Sequence, residues 1–179
     1  MLGREVVEHL VSRGWDVTSP WKTEFDLNVA DHLSRLRRGL WGSFEWLLNC
    51  AAYTAVDAAE SDIMAAMRVN AVGAGALASI CNENGWRMLQ VSTDFVFDGT
   101  SRSPITEDSP ANPLNTYGKS KLLGEQNVMN QAQDSLVVRT SWLFGRYGKC
   151  FPRAIIEKAK SGASLKVVND QMGSPTSTK

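Results

Sequence analysis

The chain has 179 residues, 43% hydrophobic and 21% charged, the composition of a globular domain with one hydrophobic core rather than of a disordered segment. Nineteen Lys and Arg balance nineteen Asp and Glu, so charge gives no argument for nucleic acid or an anionic membrane as partner. No uninterrupted apolar run approaches the roughly 20 residues of a membrane span, the opening Met1-Leu2-Gly3-Arg4-Glu5 is not expected to be a signal peptide, and Cys50, Cys81 and Cys150 show no CxxC spacing.

Isolated cysteines fit a reducing, cytoplasmic setting. His9 and His32 stand alone on helix-like segments, so no metal site is expected.

Helix-like and strand-like segments alternate along the chain. Gly3 to Arg13 carries Val6, Val7, Leu10 and Val11 on one stripe and ends at Gly14, the pattern of a half-buried helix with a glycine stop. Asp16-Val17-Thr18 is a short strand candidate, and Val29 to Leu40 a second amphipathic helix. Trp46 to Cys50 is a continuous apolar run, as expected of a parallel strand buried on both faces. Ala58 to Asn84 reads as a helix with a break near Ser61, followed by a strand over Met88 to Ser92 and a proline-bearing loop from Gly99 to Asn115. A helix over Tyr117 to Gln131, a strand over Leu136 to Arg139, a helix over Phe151 to Lys160 and a strand over Leu165 to Val168 complete the series. The succession predicts an α/β fold with a doubly wound parallel sheet. Such a domain normally opens on a strand, and this chain opens on a helix.

Three segments carry candidate chemistry. In Tyr117-Gly118-Lys119-Ser120-Lys121 the tyrosine and Lys121 are four apart and share a helix face. A phenol with a pKa near 10 is a poor acid at neutral pH, and a neighbouring ammonium stabilises its phenolate. Taken alone, the spacing also suits a solvated Tyr/Lys pair. Ser92-Thr93-Asp94-Phe95-Val96-Phe97-Asp98-Gly99 follows a predicted strand, at the carboxyl end where ligands of open α/β sheets bind. Thr93 offers a hydroxyl there for a carbonyl oxygen, although a strand cap and an ordinary turn need the same residues. Asn49-Cys50-Ala51-Ala52-Tyr53-Thr54 also follows a strand, and its alanines suit either a ligand close to the backbone or tight helix packing.

Read in order with Val69-Asn70-Ala71, Leu122-Leu123-Gly124-Glu125, Arg139 to Gly145 and Asp170 to Thr176, these blocks resemble the dTDP-4-dehydrorhamnose reductases, a branch of the extended short-chain dehydrogenase/reductases. The resemblance runs through essentially the whole chain. It implies a Rossmann-like fold and NADPH-dependent reduction of the C4 keto group of dTDP-4-dehydro-L-rhamnose, with NADH as the alternative cofactor and a homodimer compatible with the reading. Thr93, Tyr117 and Lys121 would then be catalytic: Tyr117 as proton donor, Lys121 lowering its pKa and holding the nicotinamide ribose, Thr93 orienting the carbonyl. Gly3, Asp26, Leu27, Ala51, Ala52, Tyr53 and Ser92 would line the cofactor together with Tyr117 and Lys121. Thr93, Asp94, Phe95 and Trp142 would meet the sugar, and Asn70 would brace the site. No acid ends the Asp16-Val17-Thr18 segment to favour NAD, while Lys22 could meet a 2′-phosphate.

The chain departs from the pattern at Phe95, where the family usually has tyrosine. The family also has a strand and glycine-rich turn ahead of Gly3, so residues 1–179 are expected to be a partial dinucleotide-binding domain, with a substrate-binding region starting near 145–179. Two other readings remain open on sequence: a non-catalytic binding or regulatory subunit on the same fold, and a sugar-nucleotide epimerase or dehydratase of the same superfamily. Phe95 directly after Asp94 counts against dehydration, since dehydratases of this kind place acidic residues right after the threonine.

Overall fold

The computed structural model describes residues 1–179, which form two compact units, one of Pro20–Arg139 and one of Met1–Ser19 with Thr140–Lys179. The Pro20–Arg139 unit is built on a three-stranded sheet in the order β1 (Trp46–Asn49), β2 (Arg87–Thr93), β3 (Ser135–Thr140). β1 and β2 run parallel in the register Trp46↔Arg87 to Asn49↔Gln90. The Met88 N–H donates to the Asp134 carbonyl at 3.0 Å, joining β2 and β3 at their N-terminal ends as parallel neighbours require.

Alternation along these strands decides which face is core. Met88 and Gln90 of β2 and Asn49 of β1 are buried, and Met88 packs with Leu77, Ile80, Cys81, Trp86 and Val128. Asn49 Nδ2 donates to Gln90 Oε1 at 2.8 Å, which satisfies two amides that would otherwise be costly in the interior. The opposite face is open: Trp46 and Leu48 are each 37% exposed, and Leu136 and Val138 are exposed beside them. The expectation that β1 is buried on both faces is therefore corrected, because helices cover only the face that carries Met88.

Those helices follow the strands. After β1 come α3 (Val56–Ala59) and the continuous helical stretch Ile63–Asn84, which comprises α4 (Ile63–Met67), a π segment (Arg68–Gly73) and α5 (Ala74–Asn84). Glycine ends α5 in the left-handed conformation at Gly85, φ 69°, where a Cβ would be strained. By length and composition this 22-residue stretch could cross a membrane, yet half of its apolar window is buried inside the fold. Arg68 and Asn70 interrupt its apolar run, and its alanines and glycines pack on the sheet and on α6 (Thr116–Gln131). α2 (Ala30–Arg37) lies against α5, shorter than the predicted Val29–Leu40.

In the other unit, α1 (Leu2–Ser12) ends with Gly14 at φ 82°. Two short strands, β4 (Leu143–Phe144) and β5 (Thr176–Ser177), pair in parallel, and α7 covers Phe151–Lys160 as expected. Asp16–Thr18 and Leu165–Val168 form no strand. β propensity in three or four residues makes a strand only beside a free ladder partner, and neither segment has one in either sheet.

Candidate active site

The site begins with a helix that is capped twice. Asn115 Oδ1 accepts from the Gly118 N–H at 2.7 Å, and Glu60 accepts from the Thr116 N–H at 2.7 Å and from its hydroxyl at 3.0 Å. A carboxylate and an amide thus take up first-turn donors of α6, where the helix dipole favours negative charge. Those bonds hold the Glu60 carboxyl below its ordinary range. The sequence reading gave neither Asn115 nor Glu60 a role, although Asn-Thr ahead of a helix is a capping signal.

α6 then presents Tyr117 and Lys121 one turn apart, both buried. A Cβ at Gly118 would collide with the Phe95 carbonyl, and one at Gly124 with the Asn70 carbonyl. Only glycine lets α6 sit this close to the turn Asp94–Val96 and to the π segment. The Tyr117 ring packs with Ala59 and Ala66, with Tyr53 and Val56 partly buried around it, and meets the Phe95 ring edge-on at 5.6 Å.

Thr93 ends β2, buried beside the buried Ser92. Its hydroxyl accepts from the Phe95 N–H at 3.2 Å and lies 3.2 Å from Asp94 Oδ1. Lys121 Nζ donates to the Val91 carbonyl of β2 at 2.7 Å. Lys121 is 4% exposed, and burial pushes its pKa down to about 8, against opposing contributions from Glu125 and Cys50. Burial pushes the Tyr117 phenol up; a hydrogen bond with Thr93 lowers it and the Asp94 charge raises it. Burial is therefore the largest influence on the phenol. The Lys121 amine is directed to a backbone carbonyl.

The loop after β1 joins the same neighbourhood. Tyr53 N–H donates to Asn70 Oδ1 at 2.8 Å, and Asn70 Nδ2 donates to the Tyr53 carbonyl at 3.1 Å and to Ser120 Oγ at 2.9 Å. Asn70 braces as expected, linking the Ala51-Ala52-Tyr53 loop to α6. One turn beyond Lys121, Glu125 is clamped by Arg139 through two bonds, 3.0 Å from Nε and 2.7 Å from Nη2.

Thr93, Tyr117 and Lys121 are therefore brought together with Ser92, Asp94, Phe95 and Tyr53, at the carboxyl ends of parallel strands. Other predicted residues fall elsewhere. Leu27 belongs to the core and packs on Gly73. Asp26 accepts from the Asn28 N–H at 2.9 Å and lies 3.8 Å from the exposed Lys22 amine. Gly3, in the first turn of α1, and Trp142 belong to the other unit. Trp142 holds a strained positive φ of 46°, the one such non-glycine residue. Chemically, a phenol hydrogen-bonded with the Thr93 hydroxyl, with a buried amine one helical turn away, is an arrangement that can serve general acid catalysis.

Comparison with known proteins places the chain in a family. The family model for the RmlD substrate binding domain matches residues 1–179. A dTDP-4-dehydrorhamnose reductase of Burkholderia thailandensis is 48% identical over 155 residues, covering 87% of this chain and 51% of the relative. A dTDP-4-keto-6-deoxy-D-glucose reductase of Streptomyces niveus is 40% identical over 179 residues, with 99% and 62% covered. The crystal structure of dTDP-4-dehydrorhamnose reductase from Bacillus anthracis in complex with NADP superimposes with a TM-score of 0.93 at 34% identity, covering 99% of this chain and 62% of that one. The chain thus spans between 51% and 62% of the length of these relatives. The fold is that of the Rossmann-like reductases, and with the family model matched from residue 1 to residue 179, this chain belongs to the RmlD substrate binding domain family.

Proposed function

We propose that this chain supplies the acid-catalytic part of an NADPH-dependent reductase, acting on the C4 carbonyl of dTDP-4-dehydro-L-rhamnose to give dTDP-L-rhamnose. The observation that carries the reading is the gathering of Thr93, Tyr117 and Lys121 at the carboxyl end of β2. Supporting it are the reductase names of the relatives and the NADP bound to the Bacillus anthracis protein.

The residues fit the nicotinamide end of such a cofactor. Ala51 and Ala52 present almost no side chain at a strand end, and the Lys121 ammonium, with one donor on Val91, has two left for hydroxyls. NADPH, when bound, supplies the hydride. Tyr117 holds its proton firmly at neutral pH, because burial raises its pKa, and in reduction it gives that proton to the carbonyl oxygen. Thr93 steers the same oxygen through its hydroxyl. Lys121 keeps positive charge close to the phenolate left behind. The apolar ring of Phe95 packed on Tyr117 limits water around the acid.

The test is NADPH titration by fluorescence, followed by turnover of the keto-sugar read by NADPH absorbance. Tyr117→Phe is expected to abolish turnover while changing NADPH affinity by no more than about twofold. No binding at about 1 mM NADPH overturns the reading in favour of a non-catalytic subunit.

A further inference from the structure

Ser120 sits between the two residues assigned to proton transfer and is fully buried. Its hydroxyl donates to the Tyr117 carbonyl at 2.7 Å and accepts from Asn70 Nδ2 at 2.9 Å. The remaining hydrogen and the oxygen of the Asn70 amide hold the Tyr53 carbonyl and N–H. Every polar atom of this path is used, which is how a buried network fixes geometry instead of costing stability. The Tyr117 carbonyl is also the helical acceptor for the N–H four residues on, that of Lys121. One hydroxyl therefore loads the peptide group shared by both side chains.

We infer that Ser120 is a positioning residue for Tyr117, tying the first turn of α6, and with it the phenol, through Asn70 to the Ala51–Tyr53 loop. Alanine would serve the helix better, since a serine hydroxyl bonded to the preceding turn competes with helical geometry. The serine is explained by what it connects. A small displacement of an acid relative to its carbonyl lowers the rate of proton transfer without touching the cofactor.

The inference rests on the reductase reading, and turnover of the unsubstituted chain tests that reading separately. Given turnover, Ser120→Ala is expected to lower kcat about tenfold with the NADPH Kd unchanged within about twofold. Ser120→Cys, which keeps a weak donor, should fall between serine and alanine. Asn70→Ala should lower kcat and also weaken NADPH binding, because the loop loses its clamp. The double variant should be no more than about twofold slower than Asn70→Ala alone, as for two links of one chain. Full kcat in Ser120→Ala, a parallel loss of NADPH affinity, or multiplying effects in the double variant would each overturn the assignment. An unsubstituted chain that binds no NADPH, or binds it without turnover, would instead remove the reductase reading beneath it.

Discussion

Lys121 keeps an ammonium where water scarcely reaches. Burial lowers its folded-state pKa from 10.5 to about 8, so the folded chain releases this proton at lower pH than the unfolded chain does. The destabilisation is full below about pH 8 and fades as pH rises towards 10.5; the shift corresponds to about 3 kcal/mol as an order of magnitude. Lys121→Met is therefore expected to raise the urea midpoint at pH 7 while abolishing turnover. The difference in stability between the two proteins should shrink above pH 8, and a constant difference would refute the assignment. Turnover of the unsubstituted protein should decline across the same range, as the ammonium is lost. The Tyr117–Lys121 spacing was readable from sequence because a four-residue interval fixes a shared helix face. The direction of the Tyr117 shift was not, because depth of burial depends on Tyr53, Ala59 and Ala66, far away along the chain.

Helix α6 carries the site because two of its positions have no side chain. By helix propensity alone, Gly124→Ala would gain up to about 1 kcal/mol. The added carbon meets the Asn70 carbonyl, a backbone atom inside another helix, and overpacking of that kind costs about 1–3 kcal/mol or more. Overpacking wins, so Gly124→Ala should lower the urea midpoint, and Gly118→Ala, facing the Phe95 carbonyl, should do the same. The same helix predicts an asymmetry at Glu125 and Arg139, whose side chains are 5% and 27% exposed. Arg139→Met leaves a buried carboxylate without its partner, whereas Glu125→Gln leaves a cation within reach of water. The arginine variant should be the less stable by denaturation, since an uncompensated buried charge is the costlier defect. Leu122 to Glu125 formed part of the family pattern, but the reason for its glycine lies in a carbonyl more than fifty residues earlier.

At the scale of the molecule, the sheet of the Pro20–Arg139 unit is covered on one face only. Leu48 of β1 and Leu136 and Val138 of β3 stand exposed on the other, and apolar side chains on one open face are where apolar molecules bind. Binding of a hydrophobic dye is expected, and replacing these three with threonine should reduce it with little loss of the folded signal in circular dichroism. The βαβ succession was legible because apolar runs and periodic stripes alternate, and α6, β2, β3 and α7 lie where the pattern put them. Asp16–Thr18 and Leu165–Val168 failed as strands because pairing is a property of neighbours. The wide turn at Arg68–Gly73 has a last consequence. Excising a single residue there, such as the solvent-facing Val72, would restore ordinary winding and leave everything downstream at nearly its present angle, because a π turn takes up one residue more than an α turn. Ile80 and Cys81 would keep their place against Met88 of β2, while the backbone around Asn70 would lose its wide turn. One surplus amino acid thus shapes the backbone around the asparagine clamp without disturbing the hydrophobic underside of α5.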